Sequence, residues 1–338
     1  MESGNVEIGR DIQAAHTCWA LSVGKKPRAI RLPAPTHLNF VRISEKVTVT
    51  MSGAAVGANM QTNAAGFEGW CLALKLWLPD IRTIGLVWDK PAEMSTGPAQ
   101  RHYARFLFRV QRFQELFPDW FLMGTPEHLD ECEVRAGGAM LLNIAGSQMP
   151  DRPRKSPEAL LEWALTSKHK TAMLETFKLT ELDRQFPVGL FRSLEVRKAN
   201  AVFTGGTSAI DMVGTDGDTL TIFELKASSN IMVGALDELL FYTSVVRAAM
   251  GERPRFGFSE STVPSRAVIG RHEVTSAKRL KAILLVEQIH PLLEHPLLFS
   301  TLNNAASRFA GATGVPVTYE AWRVCGWPAG TPVLTPFA

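Results

Sequence analysis

Apolar and polar positions along this chain of 338 residues repeat with two periods, and the periods predict its elements. In the first half, Val47, Val49 and Met51 alternate with Thr48 and Thr50, which predicts a strand over Val41 to Met51. Residues 1 to about 60 otherwise carry Gly, Ala and Pro punctuation and read as strand and loop. From Asn63 to Leu78, Phe67, Trp70, Leu72, Leu74, Leu76 and Trp77 give a helical pattern that Pro79 ends. Ile84 to Trp88 is a short buried strand. Gln100 to Phe117 is again helical, with an apolar stripe from Tyr103 to Leu116 and a row of Arg101, Arg105, Arg109 and Arg112 on its outer face. Such a row could track a nucleic-acid backbone or be a solvated helix face.

The stretch MPDRPRKSP, Met149 to Pro157, is dense in Pro and charge and reads as a boundary. It divides the chain into an expected N-terminal α+β domain, residues 1–150, and a second domain, residues 157–338. The second domain opens with expected helices over Pro157 to Ser167 and Thr171 to Gln185, then a strand over Pro187 to Leu194. Between Phe203 and Lys226, two apolar runs flank Asp216-Gly217, a strong hairpin signal because Gly accepts positive φ without steric cost. A helix over Val233 to Met250, a buried strand over Lys281 to Glu287, a helix over Pro291 to Ser307 and a strand over Val315 to Val324 follow. The order predicts an α/β fold, a mixed central sheet flanked by helices. The helix, strand, helix order from Phe67 to Phe117 could be a degenerate relative of that second half.

The hairpin also carries the chemistry. In Thr221-Ile222-Phe223-Glu224-Leu225-Lys226, period two places Glu224 and Lys226 on one face and Phe223 and Leu225 on the other. The hairpin can fold Asp211 back toward them, which would offer two carboxylates to a hard cation beside an ammonium. Mg²⁺ suits oxygen ligands of this kind, with Mn²⁺ a substitute, and the set fits metal-assisted phosphodiester hydrolysis. The alternative is a solvent-facing, salt-bridged strand.

Ala209-Ile210-Asp211, followed one hairpin later by Glu224-Leu225-Lys226, resembles the PD-(D/E)XK nuclease superfamily, whose fold is restriction-endonuclease-like. The resemblance covers the second half of the chain. It implies a divalent-metal-dependent endonuclease, with DNA the expected substrate. Asp211 and Glu224 would hold the metal with the Leu225 carbonyl, and Lys226 would orient water or stabilise charge. Glu238, one turn before Tyr242 on the next helix, would position Lys226. Glu181, on the expected helix before the sheet, would add another acid, with Asp183 and Glu175 as competitors. The Pro of the family name has no clear counterpart. A module of the same fold that has lost hydrolysis is the alternative. The superfamily further implies settings such as restriction, phage defence or repair, and a homodimer or larger defence complex in which one site serves each strand.

Composition narrows this picture little. A hydrophobic share of 46% against 20% charged predicts a well-packed globular chain. The net charge of +3 permits nucleic-acid binding, which depends on local clusters. Three present themselves: Lys25, Lys26, Arg28 and Arg31; Arg152, Arg154 and Lys155; Lys278, Arg279 and Lys281. Cys18, Cys71, Cys132 and Cys325 lack metal-site spacing, and no leader or membrane span is evident, so a reduced, cytoplasmic protein is expected. His290 and His295 each stand beside a proline, which argues against a helical zinc pair. Gly257 to Ser261 lacks the last Gly of a nucleophile elbow, and no phosphate-binding Gly-rich loop appears.

Overall fold

A computed structural model describes residues 3–92, 97–124, 141–142, 155–193, 198–203, 209–227, 231–252, 254–258 and 269–337. Cys132, Arg152, Arg154, Ser228, Asn230 and Ser259 to Ser261 lie outside them. The chain forms two compact units. The first comprises Met1–Val134, Met232–Glu238 and Ile289–Thr301, and the second comprises Arg135–Ile231, Leu239–Gln288 and Leu302–Ala338. Two short segments of the expected second domain therefore belong to the first unit. Among the described residues no helix is long and apolar enough to cross a membrane.

The first unit begins with a helix where loop and strand were expected: α1, Ser3–Ser22. Its buried stripe is Asn5, Ile8, Ile12, His16 and Ala20, spaced three and four apart. Asn5 justifies its burial by donating to the Leu38 carbonyl and accepting from the Phe40 amide, which fixes the first strand. The single strand expected over Val41 to Met51 is instead a hairpin of β1, Leu38–Ile43, and β2, Lys46–Met51. Ser44, at φ 54°, takes the left-handed turn position where Gly or Asn is usual. A one-turn helix α2, Gly53–Val56, and α3, Phe67–Trp77, lead to β3, Thr83–Trp88; α4, Gly97–Leu116, leads to β4, Phe121–Met123. The sheet order is β1-β2-β3-β4, with the last three strands parallel.

In the second unit the two-residue strand β5, Leu141–Leu142, precedes helices α5, Pro157–Thr166, and α6, Lys170–Phe177. Ser156 caps α5 by accepting from the Ala159 amide, and Pro157 sits in its first turn. The helix expected to reach Gln185 stops at Phe177, because Lys178 turns left-handed at φ 56° and closes it. Residues Glu181–Pro187 then form β6, and β7 is only Leu190–Phe191. The expected hairpin follows as antiparallel β8, Ala209–Thr215, and β9, Thr219–Lys226, with Gly217 at φ 95° and Asp216 Oδ1 accepting from the amides of Asp218 and Thr219. Helix α7, Gly234–Arg247, strand β10, Gly257–Phe258, short helix α8, Arg271–Ser276, and β11, Arg279–Val286, come next. The expected helix from Pro291 splits into a 3-10 turn, Pro291–Glu294, which belongs to the first unit, and α9, Leu298–Thr313, whose residues from Leu302 on return to the second, before β12, Val317–Cys325, and β13, Val333–Pro336.

The large sheet runs β13-β12-β11-β9-β8-β6, and β11 lies parallel between β9 and β12. It is the mixed sheet with flanking helices that the pattern predicts. Its core packs Leu161 and Leu165 of α5 and Phe177 of α6 with Met212, Phe223, Leu225, Ile283 and Leu285. The first unit follows the same connectivity without the two edge strands, β6 and β13: helix, antiparallel pair, helix, parallel strand, helix, parallel strand.

Within the first unit, Trp77 donates to the Leu292 carbonyl at 2.9 Å and stacks edge-on against His295 at 4.7 Å. His290 accepts from the Leu292 amide, and burial, then Arg28, then His16 push its imidazole down to about 3. The unfolded chain takes up that proton near pH 6.5 while the folded one does not, so stability is lost as pH falls below 6.5. Between pH 7 and pH 5 this group alone removes about 2 kcal/mol, at roughly 1.36 kcal/mol per unit. In urea melts at the two pH values, His290→Asn, which keeps an acceptor but does not titrate, is expected to flatten the difference by that amount.

Candidate functional site

The residues singled out at the hairpin converge within the second unit. The register that pairs Met212 with Phe223 carries Asp211 to the level of Glu224. Asp211 Oδ2 accepts the Leu225 amide at 2.8 Å, which ties the acid to the next strand and points it along β9. Leu225 itself packs in the core. Lys226 Nζ lies 2.5 Å from Glu224 Oε1, and both side chains are almost wholly buried, 1% and 2% exposed.

That burial removes the solvent-facing alternative. β9 is an inner strand between β8 and β11, and its residues from Leu220 to Lys226 are all buried, so the face expected to meet water is covered as well. Bringing an ammonium and a carboxylate out of water costs several kcal/mol per ion before their attraction is counted. Apolar residues of similar size would satisfy folding at least as well.

The sequence reading placed its additional acid wrongly. Glu181 is not on a helix but on β6, paired with Thr215, and Asp183 of the same strand accepts the Ile269 amide at 2.8 Å. Glu175 is an exposed residue of α6. The acids that reach the hairpin are Glu158 and Glu162 of α5. Glu158 Oε1 stands 3.9 Å from Lys226 Nζ. Glu162 is 5% exposed, and burial, then the charge of Asp211, push its carboxyl up to about 8, against the opposing influence of a hydrogen bond from Gln185. One signal could have found them: two acids spaced i, i+4 on a capped helix shortly before the sheet.

Glu238, on α7, accepts from Gln61 Nε2 at 2.6 Å within the first unit. Tyr242 is buried one turn later. Among the described residues, no three His, Cys, Asp or Glu side chains are gathered tightly enough to hold a metal ion by themselves. The donors at the hairpin are all carboxylate oxygens, and the like-charge influence of Asp211 on the buried Glu162 is of the kind that a divalent cation relieves.

The basic features fare differently. Arg105 and Arg109 of α4 are buried, not outward-facing: Arg105 donates to the Ala58 carbonyl, and Arg109 pairs with Glu68 and Asp237. Arg112 pairs with Glu115 at 2.6 Å. In the first basic cluster, Lys25 and Arg28 pair with Glu294. In the third, Lys278 pairs with Asp218 and Lys281 with Glu320.

Aligning the two sheets at the ends of β2 and β9 puts Phe40, Val49 and Met51 at the positions of Asp211, Glu224 and Lys226, and all three are fully buried apolar residues. The shared connectivity thus comes with ionisable chemistry in the second unit alone at these positions. No family model, curated protein or solved structure compared with the chain matches it.

Proposed function

We propose that the chain is a divalent-metal-dependent endonuclease of the PD-(D/E)XK, restriction-endonuclease-like kind, cleaving phosphodiester bonds of DNA. The observation that carries the reading is the buried Glu224–Lys226 pair at the end of an inner strand, with Asp211 across the hairpin and the buried Glu162 of α5 within reach of the Asp211 charge. A structural role does not call for that concentration of charge, whereas hydrolysis of a phosphodiester does.

In this reading Asp211 and Glu224 would hold Mg²⁺ with the Leu225 carbonyl, and Glu162 rather than Glu181 would be the further acid beside them. The bound ion would neutralise phosphate charge and make a coordinated water more acidic. Lys226, enclosed beside Glu224, would donate to a phosphate oxygen or orient the attacking water. Glu158, near the same ammonium, would steady it. Among the described residues one such set is present, so cutting both strands of a duplex would take two chains, consistent with a homodimer.

Supercoiled plasmid, single-stranded DNA and RNA incubated with the purified chain and Mg²⁺ or Mn²⁺ provide the test. Conversion of supercoiled to nicked circle, suppressed by chelation, is the expected outcome. Absence of cleavage on every substrate with either metal would sink the reading.

A further inference from the structure

Strand β6 lies at the edge of the large sheet, paired only with β8. Arg184 pairs with Met212 and Phe186 with Ile210, which leaves Gln185 directly across from Asp211. At that one position the strand backbone leaves the extended region: Gln185 has φ 51°. A side chain other than Gly in the left-handed region costs roughly 1–3 kcal/mol and persists only where its surroundings impose it. Gly, or the more tolerant Asn, would remove the strain. The excursion re-aims the side chain, as local departures from strand geometry do next to active sites. Here the amide Nε2 donates to Glu162 Oε2 at 2.5 Å.

We propose that Gln185 is a positioning residue for the hydrolytic centre: its strained backbone and its amide together hold the Glu162 carboxylate toward Asp211. The inference rests on the nuclease reading for its function, but its geometry stands on β6, β8 and α5 alone. Two carboxylates crowded together turn apart unless something holds them, and Gln185 is the group that touches Glu162 from the strand opposite Asp211. Gln185 is exposed and outside the core, so a packing role does not account for the strained conformation.

Gln185→Gly and Gln185→Met separate positioning from packing. Gly relieves the backbone and removes the amide, while Met keeps the length and the strain but removes the amide. Relative to wild type, Gln185→Gly is expected to melt no lower, and both variants to bind Mn²⁺ about 10-fold more weakly by titration calorimetry, a typical loss when a ligand-orienting partner is removed. Gln185→Asn, which tolerates positive φ, is expected to melt no lower than wild type. In crystal structures of both amide-less variants, the Glu162 side chain should rotate away from Asp211. Retention of the Glu162 rotamer in both, or unchanged Mn²⁺ affinity where the wild-type chain binds it, overturns the proposal. If the wild-type chain binds no Mn²⁺ but Glu162 swings away in the variants, the positioning role stands and the nuclease reading falls.

Discussion

Lys226→Met is expected to reduce Mg²⁺-dependent DNA nicking about 10³-fold, the scale on which one preorganised donor to a developing negative charge contributes. The side chain is 1% exposed and its ammonium meets Glu224 at 2.5 Å and Glu158 at 3.9 Å. Methionine fills nearly the same volume and supplies no charge, so loss of rate would report the ammonium rather than a cavity. The single variant leaves Glu224 buried without its cation, which by itself costs about 3–5 kcal/mol when a buried pair is broken. A second variant, Glu224→Leu with Lys226→Met, removes both charges and is expected to melt at or above the wild-type temperature while remaining inactive, since replacing a buried pair with apolar residues is often stabilising. Stability and activity moving in opposite directions is the signature of a pair kept for chemistry. Wild-type nicking by Lys226→Met, or strong destabilisation of the double variant, would remove Lys226 from the mechanism.

The legible part of this site lay where local signals agree. Asp216-Gly217 between two runs of alternating character sets the hairpin, and the hairpin alone brings Asp211 to Glu224 and Lys226. Burial of the pair was not legible, because period two on β9 reads as one dry and one wet face, and only the arrival of β11 beside it makes it an inner strand. Glu162 was missed for a related reason. An acid on a helix is ordinary, and its proximity to Asp211 depends on how α5 packs against β8 and β9. In the first unit, α1 was hidden by polar residues on its buried stripe, where Asn5 and His16 interrupt the apolar period and Asn5 is satisfied only by backbone of β1. The arginine row of α4 misled in the opposite direction. Its spacing is that of a basic face, but the partners that draw Arg109 inward, Glu68 and Asp237, lie far away in sequence.

Those partners give Arg109→Met an expected stability loss of about 3–5 kcal/mol, on the scale of Lys226→Met. Arg109 is 4% exposed, Glu68 2% and Asp237 fully buried, all within the first unit. The guanidinium donates to both Glu68 oxygens, to Asp237 Oδ1 at 3.2 Å and to the Ala65 carbonyl at 3.0 Å, and lies over the Phe67 ring. Asp237 Oδ1 also accepts the amides of Glu68 and Gly69, so the start of α7 is fastened to the start of α3. Burial, then the neighbouring Glu68, push the Asp237 carboxyl well above the usual carboxylate range, against the opposing pull of Arg109. The costs should therefore be ranked. Asp237→Asn keeps an acceptor at Oδ1 for its backbone and guanidinium donors and should cost least, about 1 kcal/mol, the worth of an ordinary hydrogen bond. Arg109→Met strands Glu68 in the core and should cost most. Adding Glu68→Met to Arg109→Met removes the stranded acid and should recover most of the loss. Denaturant melts of the three variants decide the matter: if the double variant is less stable than Arg109→Met alone, the cluster's contribution is packing rather than charge pairing.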